Sequence, residues 1–134
     1  MSHYATISIK ALEDVTVPMV KEALHRINKK YSVELLKNLP GVPSFGKNNA
    51  ALLLDGTPTN VRFNFEQKEG GKLSLSIGGE AYRSSVDANK LAKDLSLRYS
   101  EVKIEHIVKE QNMMPVKREV KENGDIVMRF ALAA

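Results

Sequence analysis

The last third of the chain, residues 84 to 132, constrains the fold most, because a long amphipathic pattern is followed there by two alternating ones. Ser84 and Asp87 form a capping-box pattern, so we expect a helix to begin at about Ser85. Apolar residues then recur at three- and four-residue steps: Ala88, Leu91, Ala92, Leu95, Tyr99 and Val102. A new apolar stripe beyond Ser100 (Ile104, Ile107 and Val108) predicts a kink, or a second helix that ends near Asn112.

Two strands joined across Asn123-Gly124 are predicted to close the chain. A two-residue loop would place charged and apolar residues on the same face, whereas an odd loop of residues 123 to 125 separates them. We therefore predict the odd loop, with Gly124 at positive φ. It gathers the apolar side chains on the buried face, and Arg118 is the one basic residue that shares this face. The apolar set comprises Val116, Val120, Ile126, Met128, Phe130 and Leu132.

The first half of the chain is predicted to contain one helix and strands in which apolar and polar residues alternate. Residues 3 to 9 alternate as a strand, Thr16 is placed to cap a helix that ends near Asn28, and residues 31 to 35 form a second strand. The buried stripe of that helix comprises Val17, Val20, Leu24 and Ile27. The Pro- and Gly-containing segment Asn38 to Asn49 is the longest irregular stretch, and long ordered loops are often functional.

A hairpin is predicted in the middle of the chain, after a short apolar run at residues 50 to 54 and a turn-rich segment at residues 55 to 60. Val61, Phe63 and Phe65 match Leu73, Leu75 and Ile77 across an odd loop, giving one apolar and one polar face. Together these patterns predict a single α+β domain over residues 1–134. We expect an antiparallel sheet of about five to seven strands with two or three helices packed on one face.

Composition excludes several chemistries. The chain of 134 residues has no cysteine, which rules out disulfides, thiolate zinc sites and cysteine nucleophiles. No apolar run approaches the length of a membrane span, so we expect a soluble, cytoplasmic protein that does not contact membranes. The net charge of +4 is only mildly basic, and acidic residues are interleaved with basic ones.

No pattern of catalytic or metal-binding residues emerges. Gly41 to Asn48 has the spacing of a phosphate-binding loop, but Asn48 stands where that loop needs a Ser or Thr to hold Mg²⁺. His3, His25 and His106 lie in three different predicted elements, without carboxylates at metal-ligand spacing. We therefore expect a protein that is not an enzyme and that uses no cofactor and no metal.

Basic side chains supply the candidate binding residues. They are Arg62, Lys72 and Lys47 in the middle of the chain and Lys117, Arg118 and Lys121 in the closing hairpin. A nucleic acid, a nucleotide or another anionic ligand is the chemistry that such residues would bind. No aromatic side chain is evidently exposed for base stacking, which weighs against this interpretation.

Two segments resemble a known family. The opening Met-Ser-His-Tyr-Ala-Thr-Ile, and the ungapped run from Arg98-Tyr99 to Asn123-Gly124-Asp125-Ile126, look like the small proteins of the hypothetical chloroplast open reading frame thirty-five family of cyanobacteria, plastids, bacteria and phages. Ser2, His3, Arg98 and Tyr99 match its motif positions. Residues 38 to 79 depart from it, since the family carries tryptophan there and this chain has none.

That resemblance implies a small α+β protein without an assigned activity, often encoded near AAA-type ATPases, and it supplies no catalytic residues. We therefore expect a non-enzymatic protein-binding or adaptor module, accessory to such an ATPase, that uses the polar sheet face or the Asn38 to Asn49 loop. The alternative is a nucleic-acid or anionic-ligand binder. Formation of a homo-oligomer stays open.

Overall fold

The computed structural model describes residues 12–44, 46–79, 85–124 and 126–132. Its α+β fold confirms the predicted class. The described residues form two α-helices and two antiparallel sheets, one of five strands and one of two. Some predicted features lie outside these described residues: the strand at residues 3 to 9, the proposed cap Ser84, and the motif positions Ser2 and His3.

The described residues contain seven strands and two α-helices. The strands are β1 (Leu12–Val15), β2 (Tyr31–Leu35), β3 (Ala50–Leu54), β4 (Thr57–Gln67), β5 (Leu73–Gly79), β6 (Met113–Val120) and β7 (Ile126–Leu132), and the helices are α1 (Val17–Ile27) and α2 (Ala88–Glu110). The larger sheet has the order β1-β5-β4-β3-β2, and β6 pairs with β7 alone. The prediction of one sheet of five to seven strands is therefore only partly right, since the closing hairpin forms its own sheet.

Helix α1 begins where the sequence predicts it. Thr16 Oγ1 accepts a hydrogen bond from Met19 N at 3.4 Å, and Pro18 occupies the first turn, where its missing N–H costs nothing. The buried side chains are Val20, Ala23 and Leu24. One apolar core joins this stripe to α2 and to the inner face of the larger sheet, with Phe63 of β4 among its largest fully buried side chains.

The β4–β5 hairpin keeps the two apolar sets on one face, as predicted, and its register places Phe63 opposite Ile77 and Phe65 opposite Leu75. The predicted polar face differs, because Arg62 is only 3% exposed and Ser74 is also buried. Residues 55 to 60 are also not all turn. β4 begins at Thr57, so the turn narrows to Asp55 and Gly56.

A bulge in β4 shapes the approach to α2. The register between β3 and β4 shifts near Thr59, whose hydroxyl donates to Leu52 O at 2.9 Å. Beside it, Asn60 Nδ2 donates to Val86 O at 3.0 Å, and Asn60 Oδ1 accepts from Val86 N at 3.0 Å. The side-chain amide of Asn60 therefore forms two hydrogen bonds with the backbone of Val86, as a neighbouring strand would. These bonds hold the segment before α2 against β4. The backbone of Gly79 lies so close that a Cβ there would be 2.6 Å from Asn60 O.

Helix α2 starts three residues later than predicted. Asp87 is its N-cap, and Asp87 Oδ1 accepts from Asn89 N at 3.1 Å and from Lys90 N at 3.2 Å. Of the two predicted alternatives after Ser100, a second helix is wrong, because α2 runs unbroken to Glu110. A kink stays a prediction. No Pro or Gly interrupts those residues, so the backbone continues while the apolar stripe moves to another side. The end near Asn112, at φ +57°, agrees with the prediction.

The closing hairpin has an odd loop, as predicted, but a longer one. Val120 pairs with Ile126, so five residues separate the last paired positions, and Gly124 has φ +90°. The predicted burial of Val116 and Val120 is wrong, since they are 66% and 54% exposed. The register shift between Pro115 and Lys117 makes Val116 the extra residue of a bulge, which displaces it from the face of its neighbours. The side chains of Ile126, Met128, Phe130 and Leu132 lie outside the description.

Candidate functional site

Glu101 anchors the closing hairpin to the helices. This α2 carboxylate is 6% exposed and accepts from Arg26 Nη1 of α1 at 2.8 Å and from Arg118 Nε of β6 at 2.5 Å. Arg98 Nη1 lies 3.8 Å from Glu101 Oε2. A buried carboxylate is stabilised only when charged donors satisfy it, and here the donors come from two elements besides α2.

The pKa values follow from these contacts. Burial by itself raises the pKa of Glu101, but the hydrogen bonds from Arg118 and Arg26 outweigh it, and the net pKa lies below its ordinary value. The pKa of Arg26 is raised, chiefly by its hydrogen bond to Glu105 and against the effect of burial. Both shifts favour the charged forms of Glu101 and Arg26.

A second contact between the helices lies nearer to solvent. His106 Nε2 of α2 is 3.1 Å from Glu22 Oε2 of α1, and Glu22 also pairs with Arg26 one turn along at 3.3 Å. The hydrogen bond with His106 is the main cause of the lowered pKa of Glu22. Both side chains are about half exposed, so this contact stabilises the helix pair only weakly.

Exposed apolar side chains concentrate on the hairpin and on the second half of α2. Among the described residues, five large hydrophobic side chains are exposed, and four belong to these two elements; the fifth is Leu35. We call the four the hairpin surface: Ile104, Ile107, Val116 and Val120. Val116 and Val120 belong to β6, and Ile104 and Ile107 belong to α2, which contacts β6.

Two positive charges lie side by side on the hairpin. Lys117 of β6 and Arg129 of β7 are Cα partners in the register, and both side chains are exposed. Directly opposite residues of an antiparallel pair share a face, and like charges there are destabilising. Within the described part of the chain, neither side chain forms a salt bridge with a carboxylate. The hairpin therefore presents a positive pair beside its exposed valines.

The six basic residues predicted to bind a ligand lie in different elements and differ in burial. Lys117, Arg118 and Lys121 share β6 and the loop after it, but Arg118 is held by Glu101. Arg62 is buried, with Nε donating to Pro43 O at 3.0 Å and Nη1 donating to Thr59 O. The remaining two, Lys47 and Lys72, are exposed on the loop before β3 and the turn before β5.

The loop from residue 39 to 49 is tied to the sheet. Asn49 Nδ2 donates to Phe65 O at 2.9 Å, and Phe65 N donates to Asn49 Oδ1 at 3.0 Å. At Pro43 the loop backbone meets Arg62, so the loop covers part of the face that the sequence predicts to be polar and open. The polar sheet face and this loop, which the sequence offered as alternative contact surfaces, are therefore in contact.

The positions that carry the family resemblance have structural contacts. Tyr99 is buried, and its hydroxyl accepts from Thr16 N at 3.1 Å at the start of α1. Burial is the main cause of the raised pKa of this hydroxyl. Arg98 lies beside Glu101. Both residues therefore join α2 to its neighbours.

A cavity of about 300 Å³ opens where α1, β2 and the start of α2 meet. Its lining comprises Ile27, Tyr31, Ser85, Val86, Asp87, Lys90, Leu91 and Asp94. Within the described ranges, no group of three or more His, Asp or Glu residues could hold a metal ion. No described helix is long and apolar enough to cross a membrane.

Sequence reasoning missed two residues that position the site. Glu101 lies between Tyr99 and Val102 of the buried stripe, so the pattern places its carboxylate beside the predicted core. Arg118 was the basic residue on the apolar face of the closing hairpin. Together these two positions could have indicated an ion pair. The role of Asn60 could not be predicted from the sequence, because its pairing with Val86 depends on a bulge in β4 that no short sequence pattern indicates.

Comparison with protein-family models, with curated proteins and with solved structures finds no match to this chain.

Proposed function

We propose that this chain is a non-enzymatic protein-binding module that contacts its partner through the hairpin surface. The observation that carries the proposal is the position of Ile104, Ile107, Val116 and Val120, four of the five exposed large hydrophobic side chains of the described residues. Contiguous exposed apolar surface is typical of protein–protein contact sites, and these four side chains belong to two elements that contact each other.

The anchoring of the hairpin supports this proposal. A two-stranded hairpin is marginally stable by itself in water, but Arg118 holds β6 against α2 through the buried Glu101. An element fixed before binding loses less conformational freedom when it binds. The anchor therefore favours a preformed contact surface.

The resemblance of both chain ends to a family encoded near AAA-type ATPases suggests the kind of partner. On that resemblance we propose a cytoplasmic adaptor that is accessory to such an ATPase. The hairpin surface replaces the polar sheet face as the proposed contact, because Arg62 is buried there beneath Pro43.

A polyanion is the second candidate ligand, whether a nucleic acid or a nucleotide. The exposed pair of Lys117 and Arg129, with Lys121 nearby in the chain, supports it. Phosphate binding through such residues would weaken steeply as salt is added. The scatter of the other basic residues makes this candidate the weaker one.

Capture from a lysate of the native host, divided into nuclease-treated and untreated halves, separates the two candidates. A protein retained at near-stoichiometric amounts in both halves is the result that we expect. Proteins that are lost after nuclease treatment, together with recovered nucleic acid, would establish the polyanion instead.

A double variant, Lys117→Glu with Lys121→Glu, sharpens this experiment. Both side chains are exposed, so the variant should fold, whereas reversing Arg118 would place a second carboxylate beside Glu101. Nucleic-acid recovery that survives the double variant would show that the hairpin lysines are not its site.

A further inference from the structure

Four outer edges of the described strands pair with no other described strand, and three of them are irregular or already bonded. β1 and β2 flank the larger sheet, and β6 and β7 each have one outer edge because they pair only with each other. An unpaired strand edge offers N–H and C=O groups to any extended chain, so proteins usually block such edges. The edge that is left unblocked therefore indicates where a strand can add.

The β2 edge is occupied by its own chain. Leu36 N donates to Asn49 O and Asp55 N donates to Lys30 O, so the even-numbered residues bond to β3 and the odd-numbered ones point outward. Of the three outward N–H groups, that of Tyr31 donates to Asn28 O at 3.0 Å. That of Leu35 donates to Glu34 Oε1, also at 3.0 Å.

The β1 and β6 edges are irregular. β1 has four residues, a register shift, and Asp14 at φ +55°. β6 contains Pro115, which has no N–H, and the bulge at Val116. Proline and bulges are the features that prevent further pairing at an edge.

The β7 edge has none of these obstructions. Its seven residues, Ile126–Leu132, contain no Pro and no Gly, and the extra residue of the hairpin lies in β6. No other described strand pairs with it. This edge is regular along its whole length and long enough to hold an extended peptide segment.

The charge on this edge indicates what would bind. Arg129 is the middle residue of β7 and lies beside Lys117, a like charge, so a carboxylate on a third strand would relieve the repulsion. A second copy fits less well, because antiparallel pairing centred on β7 would place Arg129 of both copies opposite each other. The favoured occupant is therefore an acidic segment of a different protein.

We propose that β7 accepts an extended segment of a partner protein as a third strand of the hairpin sheet, with an Asp or Glu of that segment next to Arg129. The inference rests on the proposed protein-binding function and names the mode of recognition. Main-chain hydrogen bonds supply the affinity in strand addition, and the side chains supply the specificity.

Two mixtures of nine-residue peptides test the proposal. Both alternate β-branched and polar residues, and they differ only in a central Glu or Lys. Backbone amide hydrogen exchange of the full chain is measured by NMR with each mixture. The Glu mixture should protect β7 amides that exchange quickly in the free protein, and should bind about fivefold tighter than the Lys mixture. N-methylation of alternate peptide residues should abolish the protection.

The Arg129→Glu variant should reverse the preference between the two mixtures. Lys37→Glu, next to the obstructed β2 edge, is the matched control and should leave the preference unchanged. An unreversed preference in Arg129→Glu, or no protection of β7 with either mixture, would overturn the proposal.

Two results with the free protein would also overturn it. Amides of β7 that are all protected in dilute protein would mean that the edge is already paired within the chain. Protection that appears only at high concentration, together with dimers in sedimentation, would assign the edge to a second copy. A partner can be captured from the lysate through the hairpin surface even if the peptides do not bind β7. The failure of strand addition is therefore distinguishable from the failure of the proposed protein-binding function.

Discussion

Glu101 of α2 and Arg118 of β6 are joined by a hydrogen bond of 2.5 Å between Oε2 and Nε. Arg118 is the one basic residue that the alternation pattern places among apolar neighbours in the hairpin, and this bond explains its position. Glu101 also holds Arg26, so one buried carboxylate joins α1, α2 and the closing hairpin.

Removing the charge of Glu101 should destabilise the protein. Glu101→Gln removes the only carboxylate that binds Arg118 among the described residues, while Arg26 keeps Glu105 and Glu22. It should lower the free energy of unfolding by about 1–3 kcal/mol, measured by urea denaturation. Glu110→Gln, at the exposed end of the same helix, is the matched control and should change it by less than about 0.5 kcal/mol. Equal effects from the two variants would contradict the anchor role.

The same carboxylate should contribute to acid unfolding. The folded pKa of Glu101 lies below its ordinary value of 4.5, so its stabilisation is complete above that value and is lost as the pH falls through the folded pKa. Wild type should therefore lose more stability than Glu101→Gln between about pH 5 and pH 2, as measured by thermal unfolding at each pH. Parallel curves for the two proteins would show that Glu101 does not titrate in this window.

His106 should control the titration of Glu22. The hydrogen bond with His106 is the main cause of the lowered pKa of Glu22, so His106→Ala should raise this pKa. Carboxyl-carbon NMR of Glu22 during an acid titration measures the change. Some lowering should persist, because Arg26 remains nearby. His25→Ala replaces an exposed histidine of α1, whereas the contacts of Glu22 are with His106 and Arg26. It serves as the control and should leave the titration unchanged.

The amide of Asn60 should stabilise the start of α2. Asn60→Ala removes the two hydrogen bonds that this amide makes with Val86 and should cost about 1–3 kcal/mol of unfolding free energy. Hydrogen exchange should also become faster at the first turn of α2, after Asp87. Asn64→Ala, on the same strand, is the control. Unchanged exchange at that turn in Asn60→Ala would show that α2 is positioned without it.

Local patterns predicted the elements that depend on near neighbours in the chain. The cap of α1 at Thr16 and the shared apolar face of the β4–β5 hairpin follow from spacing alone, and both agree with the structure. The parity of the closing loop was predictable too, because it decides which face each side chain occupies.

Features that depend on distant contacts could not be predicted in this way. Burial of Arg62 requires the loop at Pro43 to fold back over β4, and exposure of Val116 requires a bulge that shifts the register. The second apolar stripe of α2 did not mark a new helix, because Ile104 and Ile107 are exposed on one unbroken helix. The six predicted basic residues divide between the hairpin and the larger sheet.

The most direct test of the proposed function is a paired capture experiment with a double variant of the hairpin surface, Val116→Glu with Val120→Glu. Both side chains are more than half exposed, so the variant should fold with an unchanged unfolding temperature. Leu35→Glu, at the fifth exposed hydrophobic position, is the matched control. After nuclease treatment, the partner retained by wild type and by Leu35→Glu should be lost from the double variant. Equal retention by all three proteins would contradict the hairpin surface as the contact site.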